Sequence, residues 1–128
     1  MIHALIDSLD SDIPVKTTEG KQILDFVYVE DVVNAYKLVI QNHNSLLDDA
    51  DFRVGTGTGY SIRDLVNEIE KISNKKANIH WGAIPYRKRD IMLSIADTTN
   101  AFNQLGWIPK FNLRDGLMKM FKEDNLIS

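Results

Sequence analysis

Apolar residues at Ile2, Leu5, Ile6 and Leu9 recur at helical spacing until Ser11-Asp12-Ile13-Pro14 breaks the pattern, which predicts a short opening helix. Val15 to Thr17 is β-prone and ends at the Glu19-Gly20 turn. Phe26-Val27-Tyr28-Val29 reads as a strand, and Glu30-Asp31 behind it suits a helix N-terminus. That second helix runs to about Asn42, with Val32, Val33, Tyr36, Val39 and Ile40 expected on one buried face. After a polar loop, Asp51 to Val54 reads as a short strand, Gly55 to Gly59 as a turn, and Ser61 with Asp64 as a capping box. The helix they start buries Ile62, Leu65, Val66, Ile69 and Ile72.

Further along, Ala77 to Trp81 predicts a strand and Gly82 to Asp90, with Pro85 in it, a loop. Met92 to Ala96 is apolar enough for another extended segment, and Asp97 is the expected N-cap of a helix ending at Leu105-Gly106. Asn112 caps the last helix, whose Leu113, Leu117, Met120 and Phe121 share a side. Helices alternate with short strands, so the fold class is mixed α/β, without internal repeats.

The length of 128 residues suits one domain, and 44% hydrophobic with 26% charged residues is the balance of a globular chain. A formal net charge of −3 and the lack of a basic run argue against nucleic acid and anionic membrane surfaces as partners. No stretch approaches the ~18 apolar residues of a membrane span. Met1 to Asp10 has no basic leader pattern, and the chain has no cysteine, so the expected location is cytoplasmic. Without cysteine there is no thiolate nucleophile or zinc-thiolate site. His3, His43 and His80 stand too far apart to share a helical face, so no metal is expected.

Two stretches invite a phosphate. The strand, glycine turn and capped helix around Gly55 to Ser61 have a phosphate-holding outline, yet neither the G-x-G-x-x-G spacing nor a Gly-Lys-Ser/Thr follows; a tight turn and a phosphate site both remain open. The loop Tyr86-Arg87-Lys88-Arg89-Asp90 is either a hydrated basic loop or a bidentate grip on a diphosphate. Trp81 and Trp107, each at the end of an element, are expected to seal the core.

The string Gly20-Lys-Gln22-Ile-Leu-Asp25-Phe26-Val-Tyr28-Val-Glu-Asp31-Val-Val-Asn-Ala35 resembles the G-x-Q-x-R-D-F-V-Y-V-D-D-V-V-x-A segment of extended short-chain dehydrogenase/reductases. These are the NAD(P)-dependent nucleotide-sugar epimerases, dehydratases and reductases. Phe52 to Gly57 resembles their F-N-V-G-x-G, Tyr60 to Leu65 their Y-S-I-x-E-L, Arg87 to Asp90 their R-P-G-D, Ala96-Asp97 their A-D, and Leu105 to Pro109 their L-G-W-x-P. The ordered matches run from Gly20 to Leu117.

The resemblance implies the C-terminal, substrate-binding portion of such an enzyme: one domain over residues 1–128, with a strand-helix unit at about 51–73 belonging to the parent dinucleotide-binding sheet. The family's G-x-x-G-x-x-G cofactor turn is missing. So is its Y-x-x-x-K pair, because Val32, Ile40, Asp64 and Asp90 stand four residues after the tyrosines. NAD(P) therefore belongs to the full-length family with no site expected here, and no catalytic residue is assigned. The implied ligand is a nucleotide-diphosphate sugar. Arg87 is carried over as the phosphate clamp, Pro14, Val15 and Lys16 as the nucleobase edge, and Gln22 and Asp90 as organisers of the loops. Leu24 stands where the family has Arg, and Arg89 replaces a glycine and could supply that charge. Apolar edges uncovered by a missing half predict a homo-oligomer. A stand-alone nucleotide-binding or oligomerisation module without redox chemistry is the alternative.

Overall fold

The computed structural model describes residues 1–127. In chain order it contains α1 (Ile2–Asp7), β1 (Val15–Lys16), β2 (Ile23–Asp25), α2 (Val29–Asn42), a 3-10 turn (His43–Ser45), β3 (Gly59–Ser61), α3 (Ile62–Ser73), β4 (Ile79–His80), β5 (Leu93–Ser94), α4 (Thr99–Leu105) and α5 (Leu113–Glu123). This is the expected mixed α/β class, with two small sheets. β1 pairs parallel with β4, and β2 lies between antiparallel β3 and parallel β5.

Two apolar clusters hold the elements. In the first, Leu65 and Ile69 of α3 and Leu117 and Phe121 of α5 close over Leu5 of α1. In the second, Ala35 of α2 packs against Ala101 and Leu105 of α4 and against Trp107. Local chemistry sets the helix ends. The Ser61 hydroxyl accepts the Asp64 N–H while the Asp64 carboxylate takes the Ser61 N–H, a complete capping box. Asn112 accepts from the Asp115 N–H, and Gly106 closes α4 at φ +64°.

Several expectations are corrected. The strand placed at residues 26–29 lies three residues earlier, at Ile23–Asp25, because β3 and β5 offer their ladders there; Phe26 instead packs on the first cluster and Tyr28 is the N-cap residue of α2. Residues 51–54 form no ladder with any described residue, and Phe52 and Val54 pack on the second cluster. Gly59, expected as the end of the turn, opens a strand that runs to Ser61. Asp97 acts one position early: Thr98 is the N-cap residue of α4, and the Asp97 carboxylate accepts the Thr99 N–H and hydroxyl.

The stripe expected on α2 is also divided. The buried side is centred on Asp31 and Ala35, with Leu38 and Val39 against the second cluster, whereas Val33, Tyr36 and Ile40 are exposed. Asp31 sets that rotation. Its carboxylate, 1% exposed, accepts the N–H groups of Lys110 and Phe111, and its carbonyl accepts the Trp107 indole N–H at 2.9 Å. Trp107 thus seals the core as expected and is anchored at its polar tip.

Candidate functional site

The residues singled out from the sequence fall on three segments that the fold joins by hydrogen bonds. Pro14, Val15 and Lys16 lie on and beside β1, whose register sets Val15 against Ile79 and Lys16 against His80. Past β4 the chain stays with the same segment, because the Gly82 N–H donates to the Thr18 carbonyl and the Ile84 N–H to the Thr17 carbonyl, at 3.1 and 3.0 Å. The turn at residues 19–22 then meets the basic loop twice. The Lys21 N–H donates to the Tyr86 hydroxyl at 2.8 Å, and the Gln22 side-chain amide donates to the Ile91 carbonyl at 3.0 Å. Asp90 closes the loop on itself by accepting the Arg87 N–H at 2.8 Å, with the Asp90 N–H returning to the Arg87 carbonyl.

Arg87 and Arg89 are exposed at the tip, and neither guanidinium pairs with a described carboxylate. The nearby Lys21 ammonium is already matched to Glu19, which lowers the Glu19 carboxyl and raises the Lys21 amine. Leu24 belongs elsewhere. It packs on the first cluster, so its side chain does not stand in for a surface arginine.

The turn is stiff for reasons that the sequence does not display. Gly20 has φ +72°, and a Cβ there would fall 2.3 Å from the Trp81 ring. The Arg63 guanidinium lies over that ring, 4.5 Å from its centroid, while its Nε donates to the Glu19 carbonyl at 2.7 Å. Trp81 is therefore half-buried as a wall for this turn as well as a cover for the first cluster.

The glycine turn at Gly55–Gly59 answers the other phosphate reading. Its donors converge on Asp25, whose carboxylate accepts the Thr56 N–H at 2.8 Å, the Thr56 hydroxyl at 2.6 Å and the Gly57 N–H at 2.9 Å. The Ala96 N–H reaches it at 3.3 Å. Backbone donors of this kind make an anion nest, and here the anion is the protein's own carboxylate.

A broad groove of about 560 Å³ lies apart from these residues, between α3 and the start of α5, lined by Tyr60, Asp64, Asn67, Glu68, Lys71 and Arg114 among others. Its charges are matched internally. Glu68 takes Lys71 and Arg114, and the Lys71 hydrogen bond leads in lowering its carboxyl; Asp64 is lowered first by the Ser61 hydroxyl. Among the described residues no group of His, Asp or Glu is placed to hold a metal ion, and no helix is long and apolar enough to cross a membrane.

Residues 8–120 match the family model of GDP-mannose 4,6 dehydratase. The chain is 34% identical over 110 residues to a CDP-abequose synthase of Salmonella typhimurium, an alignment covering 84% of this chain and 36% of that protein. Among solved structures, MoeE5 in complex with UDP-glucose and NAD superposes with a TM-score of 0.79 at 27% identity, over 98% of this chain and 42% of that one. The UDP-glucose 4-epimerase of Thermotoga maritima with UDP-glucose superposes at 0.76 and 29% identity, over 97% of this chain and 38% of that one. This chain thus spans about two-fifths or less of the length of each of these proteins.

Proposed function

The chain belongs to the GDP-mannose 4,6 dehydratase family of NAD-dependent sugar-nucleotide epimerases and dehydratases, and from that membership we propose that it is the C-terminal, nucleotide-sugar-binding portion of such an enzyme. One observation carries the reading. The β1 segment, the Gly20–Gln22 turn and the loop at residues 82–92 are hydrogen-bonded into one surface, and it carries two exposed guanidiniums, those of Arg87 and Arg89, that pair with no carboxylate among the described residues. On this reading Arg87 binds the diphosphate bidentately and Arg89 adds charge in the place of the family arginine that Leu24 lacks. Pro14, Val15 and Lys16 present the nucleobase edge, and Gln22 and Asp90 hold the loop.

The chain by itself does no redox chemistry on this reading. An acid/base tyrosine needs its pKa brought toward the working pH. Tyr28 goes the other way, burial first and then its hydrogen bond to Glu123 pushing the phenol up to about 12, and none of Tyr28, Tyr36, Tyr60 and Tyr86 has a lysine four residues on. The glycine turn does not fit a dinucleotide phosphate either, since the Thr56 and Gly57 N–H groups are spent on Asp25 and the Thr58 N–H on the Thr56 hydroxyl. NAD(P) is assigned to the part of the family fold that has no counterpart here, and within the unit at about 51–73 it is the extended segment 51–54, which forms no ladder with any described residue, that is assigned to the sheet of that part.

Titration calorimetry on the full chain with UDP-glucose and CDP-glucose tests this. Binding of either, weakened at least about tenfold by Arg87→Ala, is the expected result. A folded chain that binds neither overturns it. Hydride transfer to NAD(P) by the pure chain would overturn the assignment of catalysis elsewhere.

The alternative, a self-associating module, draws on the outer face of α2, where Val29, Val33, Tyr36 and Ile40 are 63%, 46%, 69% and 68% exposed. Their spacing makes one apolar stripe, and such stripes mark interaction sites. Association through it would be lost in Tyr36→Glu by light scattering. A wild-type monomer at tens of micromolar would dismiss that reading.

A further inference from the structure

We propose that Tyr86 is a positioning residue for the arginine loop, acting through its hydroxyl; the inference rests on the nucleotide-sugar reading for its ligand but not for its geometry. The loop is fastened at its two ends. Upstream, Ile84 donates to the Thr17 carbonyl; downstream, Ile91 accepts from Gln22 and Met92 accepts from the Ile23 N–H. Between them, residues 85–90 make one hydrogen bond to the rest of the described residues, from the Lys21 N–H to the Tyr86 hydroxyl at 2.8 Å. The mutual bonds of Arg87 and Asp90 shape the loop without attaching it.

What Tyr86 grips is rigid. Glu19 and Gly20 are held by Arg63 and by the Trp81 ring, and Gly20 occupies a conformation that excludes a side chain. A half-buried phenol immediately before Arg87 therefore ties the guanidinium's backbone to a fixed point sixty-five residues earlier in the chain. A diphosphate grip depends on such preorganisation, because an untethered loop must be ordered at the expense of affinity.

Tyr86→Phe removes the acceptor and keeps the ring. Amide exchange measured by NMR on the free chain should show the Lys21 N–H losing its protection, and the Arg87 and Asp90 N–H groups exchanging about three- to tenfold faster, the range set by one hydrogen bond. UDP-glucose binding should weaken by a similar factor, with the melting temperature lowered by no more than about 5 °C. Uridine, which has no diphosphate, should bind the variant and the wild type alike. Unchanged exchange at Lys21, or at Arg87 and Asp90, overturns the tether. Exchange that rises without any change in UDP-glucose affinity overturns the positioning role. If wild-type chain binds no UDP-glucose and no CDP-glucose, the nucleotide-sugar reading fails while the exchange data still decide the tether.

Discussion

Replacing Asp25 by Asn changes one oxygen to an NH2 group, and the fold should feel it strongly. Four donors meet this carboxylate: two from Thr56 on one oxygen, and the N–H groups of Gly57 and Ala96 on the other. An Asn can turn its carbonyl toward Thr56, but its amide then faces two N–H groups. Each partly buried donor left without an acceptor costs about 1–3 kcal/mol, and the partial exposure of the turn favours the low end. The sum is roughly 2–3 kcal/mol, which for a domain of this size lowers the melting temperature by about 6–12 °C. Asp25→Ala should cost about 3–4 kcal/mol, and it should also leave an empty anion nest. Formate, a free carboxylate, should then stabilise the Ala variant, by about 1.4 kcal/mol at ten times its dissociation constant, and leave wild type unmoved. Urea unfolding followed by circular dichroism, with and without formate, measures both effects. An Asn variant within about 0.5 kcal/mol of wild type would refute the convergence of donors, a difference no larger than that of ordinary surface changes. An Ala variant that gains no more from formate than wild type would refute the nest.

Gly20→Ala combines a left-handed backbone with a Cβ driven into the Trp81 ring, so a loss of about 2–4 kcal/mol in urea unfolding is expected, with a parallel loss of Lys21 amide protection. Tyr28 is held protonated in the fold, its pKa raised to about 12 by burial and by Glu123, against about 10 unfolded. The stability it contributes is therefore complete below pH 10 and disappears as pH rises toward 12; Tyr28→Phe should flatten that alkaline decline in thermal melts. Asp64 works in the opposite range. The Ser61 hydroxyl, then the Ser61 N–H, depress its carboxyl, so its contribution is present above the ordinary carboxylate value and is lost as pH falls through the lowered one. Ser61→Ala should cost about 1 kcal/mol at neutral pH, and the gap to wild type should narrow in acid titrations.

The helices were legible because their signals are local. Ser61 with Asp64, Asn112 and Gly106 each act within a few residues of where they stand, so spacing alone places them. Strand limits were not, since a strand exists only where a partner lies: Phe26 to Val29 has better β composition than Ile23 to Asp25, yet β3 and β5 pair with the latter. Residues 51–54 show the same principle from the other side, with β-prone side chains and no ladder to any described residue. At the candidate site Arg87, Gln22 and Asp90 were proposed only through the family resemblance, and the donor that fastens the loop is the backbone N–H of Lys21, a group that carries no residue signature.

The glycine turn makes the limit concrete. A strand-like segment, a run of glycines and a capped helix describe a phosphate cradle equally well whether or not a carboxylate already sits in it. What separates the two cases is Asp25, thirty-one residues before Thr56 and on a different element. Its position in the sequence marked it only as one letter of a family-like motif. Once β2 pairs with β3, the register that sets Asp25 against Gly59 brings its carboxylate under the turn, and the same N–H groups change from an offered site into a structural clasp. The chemistry of a loop is thus decided by the strand register that delivers its partner, which is why the arginine loop was readable as a set of charges and its attachment through Tyr86 was not.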